Sequence, residues 1–284
     1  MKLEFTKMHG LGNDMIVIDS LAAGWVPSPE QARFLGDRRR GVGADQMLIL
    51  LPSTTADFRM RIFNQDGSEV EMCGNGIRCL ARYIHARGLS AQNPLAIETL
   101  AGIIRPERQG DQVRVNMGAP VFAAEKIPIA ADPAVGGTRT LPGERLRDRV
   151  IEVDELRFHM SAVSMGNPHC VIPFASVAEV PLEVWGPKLE HHPWFPRRAN
   201  VEFVEVIDRG HLKVRVWERG AGATLACGTG ACAAAVVMID LGLADPDLVV
   251  SLPGGDLAIS WQPPAGPVFM TGPATFVFEG VIEL

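Results

Sequence analysis

The sequence predicts an α+β protein made of two related, strand-rich halves, each wrapped around one central helix. Short runs of β-forming residues, separated by clusters of Gly, Pro and Asp, recur along the chain. Few helical segments interrupt them, and the two clearest each follow a near-copy of one motif, Cys-Gly-x-Gly, at Cys73 and at Cys227. Because the motif and its helix occur together twice, we expect the fold itself to be duplicated.

The individual elements follow from local composition and spacing. Runs of β-branched and aromatic residues predict strands at 15–19, 47–51, 58–64, 112–117, 170–173, 201–207, 212–218 and 268–271. Apolar residues at helical spacing predict helices at 77–87 and 231–241, and a shorter one at 31–39. The two longer helices follow the cysteine motifs, so we expect them to be the centres of the two halves.

The duplication also sets the expected boundaries. Residues 113–120 resemble residues 268–274, and both stretches follow their cysteine motif at a similar distance. We therefore place the N-terminal half at 1–118 and the C-terminal half at 119–273. Residues 123–150 are rich in Pro, Gly and charge, which predicts a link between the halves. From the residues alone, the final strand at 274–284 fits either half.

Composition argues against several classes of function. The 284 residues are 47% hydrophobic and 21% charged, as in an ordinary globular protein with a sizeable core. A net charge of −6 without a basic block argues against nucleic acid as a partner. No apolar run reaches the ~20 residues of a membrane span, and the N-terminus lacks a signal-peptide pattern. Five cysteines, an odd number, predict free thiols and a cytoplasmic protein.

Each motif places a thiol where a helix begins. A helix N-terminus carries unpaired N–H groups and partial positive charge, which stabilise a thiolate and lower its pKa from about 8.5. The same N–H groups can bind a carboxylate. Gly76 and Gly230 each cost about 1 kcal/mol of helix propensity relative to Ala, a cost that a ligand approaching the backbone would explain. Cys73 and Cys227 are therefore candidate acid/base groups for opposite faces of one small molecule.

The cysteines also admit simpler interpretations. Cys79, Cys170 and Cys232 lack the glycine context and are expected to pack in the interior, as free cysteines commonly do. The cysteine spacings are not those of a structural zinc site, so no metal is expected. A thiol redox protein would carry Cys-x-x-Cys, which is absent. A purely structural or binding module would leave the paired motifs unexplained.

Two further motifs are candidates for the same site. Asn167 precedes a proline, which imposes extended backbone, and His169 is either a satisfied core group or a base that tunes a thiol. Glu218 and Arg219 form an adjacent pair that is usually solvated. At a site, however, the Glu can hold an ammonium and the Arg a carboxylate in bidentate fashion. Asn64 stands before a turn and, taken alone, is more typical of a structural residue.

In combination and in this order, the motifs resemble the diaminopimelate epimerase family. The resemblance rests on residues 9–14, 41–46, 72–79, 166–169, 200–203, 218–222 and 226–231. It implies two pseudo-symmetric halves, an active site in the cleft between them and a C-terminal strand that crosses back to the first half. It also implies interconversion of LL- and meso-2,6-diaminopimelate without a cofactor, by an enzyme that is usually a homodimer. Residues 130–149 match no motif of the family.

The resemblance assigns roles to individual residues. Cys73 and Cys227 correspond to the catalytic pair, one acting as thiolate base and the other as thiol acid. The implied substrate-binding residues are Asn13, Gln46, Asn64, Asn167, Asn200, Glu218 and Arg219, with Gly74, Asn75, Gly228 and Thr229 around a carboxylate. His169 and Glu218 are implied to set the ionisation of the thiols. The main alternative is a proline racemase or hydroxyproline epimerase, in which His stands where this chain has Asn75.

Overall fold

The computed structural model describes residues 1–130 and 143–284, which form two compact units. Unit 1 comprises Met1–Asn116 and Thr271–Leu284, and unit 2 comprises Met117–Met270. The chain therefore leaves unit 1 after Asn116 and returns to it after Met270. Each unit contains a strand-rich sheet and one long buried helix, so the predicted α+β architecture with two strand-rich halves is confirmed.

Strands outnumber helices in the described residues. Up to Asn116 the elements are β1 (Lys2–Gly10), β2 (Asn13–Asp19), α1 (Pro29–Gly36), β3 (Gln46–Leu51), β4 (Phe58–Asn64), β5 (Glu69–Val70), α2 (Gly74–Ala86), β6 (Ile97–Thr99), β7 (Gly102–Ile104), β8 (Glu107–Gln109) and β9 (Gln112–Asn116). Beyond it they are β10 (Arg149–Val153), β11 (Leu156–Ser164), β12 (Pro168–Pro173), α3 (Leu182–Glu190), β13 (Asn200–Asp208), β14 (His211–Glu218), β15 (Gly222–Ala223), α4 (Gly228–Asp240), β16 (Asp247–Leu252), β17 (Gly255–Ser260), β18 (Phe269–Pro273) and β19 (Thr275–Glu283).

In unit 1, the strand order is β19-β1-β2-β3-β4-β6-β7, with β5 paired to β4. The C-terminal strand β19 runs antiparallel to β1 and forms an edge of this sheet. Since β2 and β3 are parallel and β4 is antiparallel to β3, the starts of β2 and β3 and the end of β4 meet at one edge. Helix α2 packs against β1, β2 and β3, and its second residue, Asn75, bonds to Asn13 at that edge.

In unit 2, the strands β10-β11-β12-β13-β14-β16-β17 are neighbours in that order, with β15 paired to β14. Helix α4 contacts β11 to β14, β16 and β17, and eleven of its residues are buried. This explains why α4 is apolar on all sides, whereas a surface helix would carry a polar face. Helix α3 packs on β13 and β14.

The expectation that residues 123–150 form a link between the halves is corrected, because apolar residues in the described parts of this segment belong to the core of unit 2. Ala124, Ile127, Ile129 and Leu146 are buried in the same apolar cluster as the strands of that unit. Ala130 N donates to Trp194 O at 2.9 Å. Apolar residues spaced among the Pro and Gly therefore pack as part of the unit. The rest of the proposed link, residues 131–142, lies outside the described residues.

The two central helices begin earlier than their apolar patterns suggest. They start at Gly74 and Gly228, directly after the cysteines, because the glycine-rich motif itself forms the first turn. Helix α3 was not predicted, since Gly186 and Pro187 lie inside it and both normally oppose helix formation.

Among the described residues, no helix combines the length and apolar character needed to span a bilayer.

Candidate active site

Both motif cysteines occupy the N-cap position of a central helix. Cys73 has extended backbone, and its Sγ accepts a hydrogen bond from Gly76 N at 3.4 Å. Cys227 repeats this arrangement, with Gly230 N donating to its Sγ at 3.4 Å. A thiol in this position uses one of the free N–H groups of the first helical turn and lies in its positive field. The local geometry is thus duplicated together with the motif.

Packing leaves little space for a side chain at the glycines of the first turn. A Cβ at Gly76 would lie 3.0 Å from Leu48 Cδ2, and one at Gly230 would lie 2.9 Å from Glu202 Oε1. These contacts arise because each helix start is pressed against a strand of its own unit. From the sequence, a ligand that approaches the backbone would explain these glycines. The structure explains them by close packing against a strand, without a ligand.

In unit 1, a directed chain of hydrogen bonds leads away from α2. The guanidinium of Arg78 is completely buried and donates to Asn75 Oδ1 at 2.9 Å. Asn75 Nδ2 then donates to Asn13 Oδ1 at 3.1 Å, and Asn13 Nδ2 donates to Asp45 Oδ2 at 2.9 Å. The cation at one end of the chain and the carboxylate at the other therefore fix both amides in one orientation.

Charged groups hold the far end of this chain. Arg38 bridges the two carboxylates of Asp14 and Asp45, with Nη2–oxygen distances of 2.7 and 2.8 Å. Lys7 Nζ lies 2.6 Å from Asp14 and also donates to Gly43 O. Burial alone would raise the pKa of Asp14, but hydrogen bonds from Arg38 and Lys7 outweigh it and hold that pKa well below its ordinary value. The sequence indicates no role for Arg38 or Asp45, because only folding brings these two residues together with Asp14.

Gln46 and Asn64 lie side by side at the same sheet edge. They are register partners on β3 and β4, and Gln46 Nε2 donates to Asn64 Oδ1 at 2.9 Å. Asn64 Nδ2 donates onward to Ser68 Oγ at 3.1 Å. Within unit 1, the structure therefore assembles all the predicted polar residues at the edge near the start of α2.

In unit 2, a second directed chain starts from a buried carboxylate and ends beside Cys227. His169 is fully buried, with Nδ1 2.7 Å from Glu202 Oε1 and Nε2 2.9 Å from Asn167 Oδ1. Because a carbonyl oxygen only accepts, Nε2 carries a proton. Asn167 Nδ2 donates to Thr229 Oγ1 at 3.3 Å, which leaves the Thr229 hydroxyl able to donate to Cys227 Sγ, 3.5 Å away. Glu202 was not a candidate from the sequence.

Glu218, Arg219 and Asn200 are grouped at a turn of unit 2. Thr224 Oγ1 donates to Glu218 Oε1 at 2.5 Å. Arg219 N donates to Asn200 Oδ1 at 2.9 Å, while the exposed Arg219 guanidinium donates to Arg197 O at 3.3 Å. Arg219 is therefore held by its backbone and presents a charged head to solvent.

The electrostatic expectation for Cys227 is wrong. Burial raises the pKa of this thiol well above its ordinary value, and the carboxylates of Glu218 and Glu202 raise it further. Hydrogen bonds from Thr229 and from Gly230 N act in the opposite direction but are weaker. Cys227 therefore favours its protonated form despite its position at a helix N-terminus. Cys73 is only partly buried.

The remaining cysteines behave as packing residues. Cys79, Cys170 and Cys232 are completely buried, as predicted. Burial raises the pKa of Cys79 to about 12, which makes it unreactive at neutral pH. Within the described residues, all five cysteines are reduced thiols.

The fold is similar to those of several solved structures, which include a hydroxyproline epimerase. A PhzF-family phenazine biosynthesis protein of Bacillus anthracis is similar over 100% of both chains, with a TM-score of 0.71 and 19% identity. A hydroxyproline epimerase of Agrobacterium vitis is similar over 99% of this chain and 92% of its own, with a TM-score of 0.69 and 15% identity. At these identities the similarity concerns the fold alone, so the proline-directed alternative is supported only as a related fold.

Sequence similarity identifies the particular family. The family model of diaminopimelate epimerase matches residues 5–123 and 161–277. The diaminopimelate epimerase of Stutzerimonas stutzeri is 48% identical over 100% of both chains, and that of Desulforudis audaxviator is 51% identical over 98% of both. This chain belongs to the diaminopimelate epimerase family and is an isomerase.

Proposed function

We propose that the chain interconverts LL- and meso-2,6-diaminopimelate by proton transfer at the α-carbon, with Cys73 and Cys227 as the acid/base pair. The observation that supports this most strongly is the duplicated N-cap thiol, each accepting a hydrogen bond from the first turn of a buried helix. Epimerisation inverts the α-carbon, so one group removes the α-proton from one face and a second group protonates the opposite face.

In this proposal the helix N-termini stabilise the charge that develops as the proton leaves. Backbone N–H groups at Gly74–Asn75 and Gly228–Thr229 bind the reacting carboxylate, on which negative charge accumulates. Because burial favours the protonated form of Cys227, this residue acts as the acid for one configuration of the substrate. Cys73 then serves as the base, and the roles exchange with the configuration of the substrate.

The polar side chains select the substrate. The proposed contacts are those of Asn13, Gln46, Asn64, Asn167, Asn200, Glu218 and Arg219, with Arg219 binding the carboxylate at the end that does not react. Because hydrogen bonds fix the amides of Asn75 and Asn167 in one orientation, each presents its donor and its acceptor in a fixed direction. A site that pairs with polar groups rejects ligands that lack them, because its own groups then remain unpaired. His169 influences the ionisation of Cys227 through Asn167 and Thr229. The charge of Glu218 influences it as well.

We further propose a cytoplasmic homodimer that uses no cofactor. The five reduced thiols are consistent with a reducing compartment. The exposed apolar side chains Val277 and Val281 on the edge strand β19 offer a surface that a second copy would cover. A net charge of −6 supports a small molecule as the partner in preference to nucleic acid.

Solvent exchange tests the reaction. The purified protein is incubated with LL-diaminopimelate in heavy water, and deuterium at the α-carbon is followed together with formation of the meso isomer. Cys73→Ser and Cys227→Ser are each expected to lower epimerisation by at least about 10²–10⁴-fold, the usual contribution of an acid/base group.

Matched variants separate catalysis from folding. Cys79→Ala and Cys232→Ala change buried cysteines within the same two helices and are expected to keep substantial activity. Full epimerase activity in either serine variant would rule out the two-thiol scheme. Racemisation of L-proline without turnover of diaminopimelate would instead favour the proline-directed alternative.

A further inference from the structure

Glu190 is a buried carboxylate at the end of α3 that the proposed reaction does not use. It is only 4% exposed, and both of its oxygens are occupied. Trp217 Nε1 donates to Oε2 at 2.8 Å, and Gly220 N donates to Oε1 at 2.9 Å. Arg198 Nη1 lies 3.7 Å from the same Oε1, which provides a nearby positive charge.

The two donors bracket the residues proposed to bind substrate. Trp217 precedes Glu218 and Arg219 in the chain, and Gly220 follows them, so one carboxylate holds both ends of this dipeptide. A third hydrogen bond, from Arg219 N to Asn200 Oδ1, lies between them at 2.9 Å. The turn itself is closed by Ala221 N donating to Glu218 O at 3.1 Å.

A purely structural role explains only part of this arrangement. Trp217 is already confined by packing, since a Cβ at Gly186 of α3 would lie 2.6 Å from its ring. Gly220 lies in an exposed turn, where water would satisfy its N–H equally well. A buried carboxylate is costly to desolvate, and an apolar residue would usually fill the same space at lower cost. What Glu190 adds is a fixed backbone path through Glu218 and Arg219.

We propose that Glu190 is a positioning residue that sets the substrate-binding orientation of Arg219 by holding the turn at Trp217 and Gly220. The inference deepens the proposed function and rests on it. Bidentate pairing of a guanidinium with a carboxylate demands a defined direction of approach. The exposed Arg219 side chain has few contacts of its own to provide that direction, so its backbone must provide it.

The test replaces one acceptor oxygen of Glu190 by a donor. In Glu190→Gln, the amide NH₂ faces either the Trp217 or the Gly220 N–H, and one hydrogen bond is lost. If Arg219 binds the end of the substrate that does not react, its contribution is uniform in ground and transition states. We therefore expect KM for LL-diaminopimelate to rise roughly ten-fold, with kcat changed by less than about two-fold. Glu183→Gln, an exposed residue of the same helix, should leave both unchanged.

A double-mutant cycle distinguishes positioning from general damage. In an Arg219→Ala background, Glu190→Gln is expected to add little further loss of kcat/KM, because its effect passes through Arg219. Equal losses in both backgrounds, or a wild-type KM in folded Glu190→Gln, would overturn the inference. If Glu190→Gln does not fold, Glu190→Asp retains the charge with a shorter reach and must still raise KM. A wild-type protein without diaminopimelate turnover would refute the proposed function first, and this inference with it.

Discussion

Cys227 is a buried thiol whose neighbours act on its ionisation in opposite directions. Burial, Glu218 and Glu202 favour the protonated form, while Thr229 and Gly230 N favour the thiolate. The direction of the Thr229 hydroxyl is set by Asn167, whose amide is fixed by the protonated Nε2 of His169. Under the proposed function, this order of donors and acceptors lets His169 influence a sulfur that it does not contact.

Removing the charge of Glu218 should make Cys227 easier to ionise. In Glu218→Gln, the pKa of Cys227 falls because a nearby negative charge is lost, so the thiolate fraction at mildly alkaline pH increases. The rate of iodoacetamide alkylation at Cys227, followed by peptide mass spectrometry in a Cys73→Ser background, should rise relative to that background alone. Glu183→Gln serves as the control. A slower or unchanged rate would show that Glu218 does not act on this thiol.

Glu202 should make stability depend on pH. Burial raises the pKa of Glu202 above 4.5, while His169 lowers it and Glu218 raises it. The folded state therefore binds this proton more tightly than the unfolded state, and the stabilisation present below about pH 4.5 is lost as pH rises through the folded pKa. Relative to Glu202→Gln, the wild-type free energy of unfolding should decrease over that range in urea titrations. Parallel pH profiles for the two proteins would contradict this expectation.

At the scale of elements, each central helix fits tightly against a strand at its first turn, but the two contacts differ. At Gly230 a side chain would meet the carboxylate of Glu202 and also lie 3.3 Å from Cys227 Sγ. At Gly76 it would meet the end of a flexible leucine side chain. The two halves thus share a motif while differing in how much space surrounds it.

This difference predicts unequal effects of the same substitution. Gly230→Ala should destabilise the protein by about 1–3 kcal/mol, as overpacking of a core usually does. Gly76→Ala should change stability little, because Leu48 can move and the helix gains about 1 kcal/mol from alanine. Urea midpoints and epimerase rates of both variants provide the measurement. Equal destabilisation of the two variants would mean that the contact with Glu202 has no special cost.

The elements also show what local sequence can and cannot determine. Strand β4 was predicted with the observed bounds, because its apolar alternation and turn residues are local signals. Strand β1 was missed, since its charged and polar residues are interspersed among apolar ones and its pairing with both β2 and β19 is long-range. The duplicated thiols were recognisable from the motif. Glu190 and Glu202 were not, because their importance depends on partners brought near by folding.

At the scale of the whole molecule, the edge strand β19 predicts self-association. Val277 and Val281 are 53% and 59% exposed, which is unusual for apolar residues on a sheet edge. Val277→Lys should shift the protein from dimer to monomer in light scattering coupled to size-exclusion chromatography, because a charge on the edge opposes pairing. Val184→Lys, at an exposed position of α3, is the control. A wild-type monomer, or a dimer that tolerates Val277→Lys, would exclude this edge as the interface.

The pairing of β19 with β1 also dictates an order of events during synthesis. Met1 and Leu284 are joined by two main-chain hydrogen bonds, of 2.7 and 2.9 Å. Because β1 and β19 lie far apart in the sequence, β1 leaves the ribosome long before the strand that pairs with its outer edge. Unit 2 is one continuous stretch, so all of it is synthesised before β1 can pair with β19. Connecting Leu284 to Met1 and opening the chain at Met117 would make unit 1 continuous as well, and each unit could then complete itself as it is made.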